Sequence, residues 1–139
     1  QCRGSLVRAE ANIMSTALNN DILEANRLFY EVFRSADIER MDQLWARDAE
    51  VSVYHPGWSG ITGRTAVMSS WRQVMVNAIP PEIHPSDVCV ILSGERKAVV
   101  FCVENIGDTS IFASNIFTYE DDAWRLMHHQ ATPLPIQVG

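Results

Sequence analysis

Four side chains of this sequence sit in apolar surroundings and could move a proton or polarise a carbonyl: His55, Glu104, Asn115 and His128. His55 closes the run VSVYH. Side chains alternate along a strand, so it shares a face with Val51 and Val53 and should point inward. Pro56 and Gly57 then turn the chain and Trp58 follows in the bend. An imidazole with an ordinary pKa near ~6.5 takes and returns a proton around neutrality. His55 is therefore the first candidate for a general base, with His128 second. The alternative for His55 is a ring that only bonds a nearby carbonyl in a His-Pro-Gly bend.

Glu104 alternates with Cys102 and Val100 in AVVFCVEN. Facing inward, it could orient a histidine or act as an acid whose pKa is raised by burial; at a solvated strand end it would do neither. Asn115 could polarise a substrate carbonyl or satisfy His128 across a hairpin. Phe29, Trp58, Trp71 and Phe117 are expected as the walls of a pocket, with Cys102 and Gln130 also contacting its occupant. No cofactor and no metal is expected. His128 and His129 are adjacent and point opposite ways on a strand, and the sequence holds no HxH or HExxH spacing. It also has no glycine-rich phosphate loop and no nucleophile elbow.

The elements that must hold these groups can be read from periodicity. Asn20 and Asp21 offer caps for a helix to about Ala36, with Ile22, Leu23, Asn26, Phe29, Tyr30 and Phe33 as its inner stripe. Asp37 can cap a shorter helix whose apolar side is Ile38, Met41, Leu44 and Trp45. After the strand that ends at His55, a third helix opens at Thr62 or Gly63. Ala66, Val67, Ser70, Trp71, Val74 and Met75 form its buried face, and Pro80 and Pro81 prevent it from continuing. Four strands follow, at 88–92, 98–105, 110–119 and 124–132. Helices first and an antiparallel meander second define an α+β fold, a curved sheet wrapped around N-terminal helices.

The last hairpin allows a sharper expectation. With Asp121-Asp122 as the turn, Tyr119 faces Trp124, Phe117 faces Leu126 and Asn115 faces His128. One side of the sheet then carries Asn115, Phe117, Trp124, Leu126, His128 and Gln130; the other carries Ser114, Ile116, Thr118, Arg125, Met127 and His129.

At 139 residues the chain suits one domain, placed at 21–139 behind an N-terminal arm at 1–20. Met14 is a candidate native start, which would set residues 1–13 apart; the helical spacing of Val7, Ala11, Met14 and Leu18 is the alternative. A formal charge of −6 argues against a nucleic-acid partner, and no apolar run reaches membrane-spanning length. Cys2, Cys89 and Cys102 are widely spaced, with two in apolar strands. Free thiols in a reducing, cytoplasmic compartment are expected.

The ordered combination of ANRLFYEVFRSADIERMDQLWARDAEVSVYHPGW, TGRTAVMSSWR, FCVEN and ASNIFTYEDDAWRLMHHQATP resembles the SnoaL-like branch of the nuclear transport factor 2-like superfamily, over roughly Asp21 to Pro133. The resemblance implies a cone-shaped barrel, commonly dimeric, with a pocket between the concave face of the sheet and the helices. Relatives include polyketide cyclases, ketosteroid isomerase, scytalone dehydratase, epoxide hydrolases and modules that only bind or assemble. His55 falls where the ketosteroid isomerases place their catalytic aspartate. Their oxyanion-stabilising tyrosine falls on Phe29, which cannot donate a hydrogen bond. Two readings stand: a cofactor-independent cyclase, isomerase or dehydratase with His55 as base on a small apolar substrate, or a non-catalytic ligand-binding or dimerisation module. A homodimer is expected through the outer sheet face, where Ile116, Thr118 and Met127 lie.

Overall fold

The computed structural model describes residues 13–77 and 82–133 of the chain. Cys2, the rest of the arm up to residue 12 and Pro80–Pro81 lie outside them. Three helices, α1 (Ile13–Ser35), α2 (Ile38–Leu44) and α3 (Arg64–Asn77), accompany six strands: β1 (Ser52–Tyr54), β2 (Ile61–Thr62), β3 (Ile83–Ser93), β4 (Lys97–Ile106), β5 (Thr109–Glu120) and β6 (Ala123–Pro133). They form one sheet in the order β2-β1-β6-β5-β4-β3. β1 and β6 run parallel and the other pairs antiparallel, so the α+β expectation holds.

The inner stripe of α1 holds at Ile22, Asn26, Phe29, Tyr30 and Phe33, which are buried, whereas Leu23 is only partly buried and Val32 joins the core instead. The start of α1 is not as read. Asn20 and Asp21 lie inside the helix instead of capping it. No Gly or Pro interrupts residues 13–21, and once a helix is nucleated each further residue adds a bond at little cost. α1 ends at Ala36, which takes a left-handed φ of 57°. Asp37 then caps α2 by accepting a bond from the Arg40 amide at 3.1 Å. Arg64, the first residue of α3, donates to the carbonyls of Trp45, Ala46 and Asp42 and pairs with the Asp42 carboxylate at 2.9 Å. One guanidinium therefore fastens the start of α3 to the unpaired carbonyls at the end of α2.

β3 starts earlier than 88 and includes Pro85. That is tolerated because β3 is an edge strand with no neighbour on one side. The two-residue strand β2 was not anticipated. It is too short to show alternation and pairs Val53 with Ile61 and Ser52 with Thr62.

The β5–β6 hairpin turns at Asp121 and Asp122, both at positive φ (53° and 60°), the backbone a two-residue hairpin turn requires. Tyr119 faces Trp124 and Phe117 faces Leu126, as expected from the turn. Beyond them the register shifts by one: Ile116 pairs with His128 and Asn115 with His129. Met127 is the extra residue of a β-bulge, and a one-residue slip moves every later side chain to the opposite face. The expected faces are thereby corrected past the bulge: His129 faces the helices with Asn115, whereas His128 and Gln130 face outward.

One cysteine also differs from expectation. Cys102 is a free, buried thiol, but Cys89 is disulfide-bonded. No helix among the described residues is long and apolar enough to cross a membrane.

Candidate functional site

Side chains from α1, β4, β5 and β6 meet between the helices and the sheet in a connected polar network. Asn115 donates from Nδ2 to Asn26 Oδ1 at 2.8 Å and to the Tyr30 hydroxyl at 3.2 Å. Both amide hydrogens are then committed, so its Oδ1, 2.6 Å from His129 Nδ1, accepts the proton of that nitrogen. Nε2 of His129 is left with the lone pair, 3.7 Å from Glu104 Oε2. Tyr30 donates to the same Glu104 oxygen at 2.7 Å, and its hydroxyl lies 3.2 Å from Cys102 Sγ. Asn115 is wholly buried, and His129 and Glu104 are 1% and 2% exposed.

Burial disfavours charge on both partners of the His129–Glu104 pair. It pushes the Glu104 carboxyl up to about 7, against the opposing pull of the Tyr30 hydroxyl, whose hydrogen bond favours the carboxylate. It pulls the His129 imidazole down to about 3, helped by the neighbouring His55 and His128. Near pH 6 the pair is a neutral acid beside a neutral base. The Tyr30 hydroxyl is held well above its usual range, first by burial and then by Glu104 and Cys102. Burial raises the Cys102 thiol to about 11, which keeps it from acting as a thiolate.

His55 reaches the same interior from the end of β1. Like Val51 and Val53 it is buried, on the face alternation assigned to it. Its ring stands edge-to-face between Trp71 at 4.7 Å and Trp58 at 5.0 Å, with the His129 ring 6.5 Å away. Nε2 of His55 lies 2.9 Å from Ser70 Oγ, and burial lowers the imidazole to about 4. Phe29, Trp71 and Phe117 are buried, while Trp58 is 37% exposed. Phe29 packs 5.1 Å from His129 and 5.7 Å from Trp71. The indole Nε1 atoms of Trp71 and Trp45 are enclosed with no partner among the described residues. Each such donor costs about 1–3 kcal/mol.

The structure therefore gathers His55, Glu104, Asn115, Phe29, Trp58, Trp71 and Cys102, buries Phe117 two residues along β5 from Asn115, and leaves out two expected members. His128 is turned away by the bulge and bonds Ser52 Oγ through Nδ1 at 2.7 Å. Gln130 lines a groove of about 410 Å³ on the outer face, with Phe101, Phe112, Ser114 and Ile91. Sequence reasoning missed His129, Tyr30, Asn26 and Ser70 as functional groups. Tyr30, Asn26 and Ser70 read from periodicity as packing on buried faces, although a buried hydroxyl or amide needs partners. Away from this interior, carboxylate oxygens of Asp48, Glu120 and Asp121 lie within 4.8 Å of one another. Glu120 already accepts from the amides of Arg47, Asp48 and Ala49.

A family model for the SnoaL-like domain matches residues 22–137. The chain belongs to the SnoaL-like family. Among solved structures, this SnoaL-like chain is similar to a protein from Streptomyces avermitilis, provisionally named a dehydratase of the nuclear transport factor 2-like family. Identity is 32%, the match covers 88% of this chain and 99% of that one, and the TM-score is 0.79. A Thiobacillus denitrificans protein, provisionally named a calcium/calmodulin-dependent protein kinase type II association domain, is 31% identical over 80% of this chain and 93% of its own, at TM-score 0.69. A provisionally named scytalone dehydratase from Novosphingobium aromaticivorans shares the fold at 14% identity and TM-score 0.69, with 87% of each chain covered. No curated protein matches. The SnoaL-like chain thus has the cone-shaped α+β fold of that superfamily, with the polar network on the inner side of its sheet.

Proposed function

We propose that this SnoaL-like domain is a cofactor-independent dehydratase or isomerase acting on a small, largely apolar carbonyl compound. The observation that carries the reading is the His129–Glu104 pair, a base with a fixed tautomer 3.7 Å from a carboxyl that keeps its proton near neutrality. Opposed proton affinities on adjacent groups are the requirement of acid–base catalysis. The 32% identical Streptomyces avermitilis protein named as a dehydratase supports the same class.

For a β-hydroxy ketone the step balances as follows. His129 Nε2 takes the proton from the carbon beside the carbonyl. That electron pair forms the new carbon–carbon double bond, the carbon–oxygen bond at the β position breaks, and Glu104 protonates the departing hydroxyl to give water. Transfer of a proton from His129 to Glu104 restores both groups. His55 is the second base available to the same interior, and Asn115 and Tyr30 hold His129 and Glu104 in place.

A panel of small cyclic and aryl β-hydroxy ketones, followed by enone absorbance, tests the reading. Glu104→Gln and His129→Asn should each lower turnover by about 10²- to 10⁴-fold with the circular dichroism unchanged. Ligand binding without turnover in the wild type would instead support the second reading, a non-catalytic module. The specific observation on that side is that His129, Glu104, Asn115 and His55 are all 3% exposed or less.

The outer face is proposed as the surface of a homodimer. Ile91, Phe101 and Phe112 are each about half exposed there. Thr118, expected in this patch, is instead buried beneath the Lys97 ammonium, which donates to it at 3.0 Å. Sedimentation at micromolar concentration should give a dimer, and Phe101→Glu with Phe112→Lys a monomer. A monomeric wild type would overturn this.

A further inference from the structure

We propose that Ser70 is a positioning residue that fixes the tautomer of His55, so that the nitrogen His55 offers to a reactant is Nδ1. The geometry of one hydroxyl decides the tautomer. Ser70 lies in α3, and its Oγ donates back to the Val67 carbonyl at 2.6 Å, the i−3 bond a helical serine can make. A hydroxyl has one proton to give. With that proton held by Val67, Ser70 Oγ can only accept from His55 Nε2, 2.9 Å away. The neutral ring has one N–H, which this contact places on Nε2. Nδ1 keeps its lone pair and has no hydrogen-bond partner among the described residues.

Two further observations support the assignment. Burial lowers the imidazole to about 4, so the ring is neutral at physiological pH and its tautomer matters. Trp58 and Trp71 clamp the ring edge-to-face, at interplanar angles of 68° and 89°. Apolar contacts of that kind hold the position of a ring without distinguishing its nitrogens, and Ser70 supplies the distinction. The outcome is opposite to that at His129, where Asn115 Oδ1 places the proton on Nδ1 and frees Nε2. Two imidazoles 6.5 Å apart therefore present different nitrogens, each set by one neighbour on another element.

Only the consequence for turnover rests on the function proposed above; the tautomer does not. The decisive measurement is the imidazole ¹⁵N spectrum of the full chain at neutral pH. The wild type should show His55 protonated on Nε2 and His129 on Nδ1. Ser70→Ala should move the His55 nitrogens toward the other tautomer or a mixture while leaving His129 unchanged, and Ser70→Thr should restore the wild-type pattern. Where a β-hydroxy ketone is turned over, kcat should fall about 10- to 100-fold in Ser70→Ala with KM little changed, and recover in Ser70→Thr. A wild-type His55 protonated on Nδ1, or His55 nitrogen shifts that do not respond to Ser70→Ala, would overturn the inference. If the tautomer responds but Glu104→Gln leaves turnover intact, the proposed function fails and the inference stands.

Discussion

Trp71→Ala should cost the fold about 3–5 kcal/mol, the usual penalty for emptying a buried aromatic site. Trp71 is wholly buried, and its ring lies within 4.7–6.2 Å of the rings of Phe29, Phe33, Trp45, His55 and His129. The indole thus joins α1, α3, the segment after α2 and both imidazoles, and its neighbours belong to different elements that cannot easily collapse together. One term runs the other way, since its Nε1 is enclosed with no partner among the described residues and loses about 1–3 kcal/mol that alanine does not. Phenylalanine also lacks that donor but keeps most of the contacts, so Trp71→Phe should cost much less than Trp71→Ala. Urea unfolding of the two variants is the check. Equal losses would mean that contact area is not what Trp71 contributes.

Acid should destabilise the domain well before its surface carboxylates are titrated. His55 and His129 have folded-state values of about 4 and about 3, below the ~6.5 of an imidazole in an unfolded chain. The unfolded state binds protons that the folded state refuses, so their contribution is complete above ~6.5 and is lost as pH falls toward 3. Glu104 runs opposite. Its folded value of about 7 lies above the usual carboxyl value, so its contribution is present below ~4.5 and is lost as pH rises through 7.

Between about pH 6.5 and 4.5 two imidazoles oppose one carboxyl, a net of about one proton, or roughly 1.4 kcal/mol per pH unit. Below about 4.5 the carboxyl no longer offsets them and the fall steepens. Urea midpoints taken from pH 3 to 8 should trace this curve. The double variant His55→Gln/His129→Asn should abolish the acid limb and leave stability rising as pH falls from about 7 to 4.5, whereas Glu104→Gln should steepen the fall between about 6.5 and 4.5 to about two protons. A wild-type midpoint equal at pH 4 and pH 7 would show that the two rings do not meet the interior as neutral groups.

The architecture could be read from the sequence because its signals are periodic. The 3.6-residue stripe of α1, the capping Asp37 and the long alternating runs of β4, β5 and β6 each report burial on one side. The inward aim of His55 followed from Val51 and Val53 by the same rule. The site was less legible for two physical reasons. A bulge at Met127 has no glycine to mark it, yet it exchanges the faces of His128 and His129, so alternation counted from a correctly placed turn gave the wrong imidazole. The hydroxyl that reaches Glu104 comes from Tyr30, one residue beyond Phe29. Two consecutive positions of a helix can both be buried while pointing about 100° apart. Which of them meets the carboxylate depends on how α1 is rolled against the sheet, and no local pattern records that.

The surplus residue at 127 separates what a strand's spacing does from what its curvature does. Excising Met127 would restore an uninterrupted ladder, and the residue now numbered 129 would still arrive opposite Asn115, because the deletion and the lost kink cancel in the count. The added residue is therefore not needed for the address of the inward imidazole. A bulge adds local twist and bend, and here it lies one residue before the β6 residues that pair with β1, so shape and chemistry in this strand are free to vary separately.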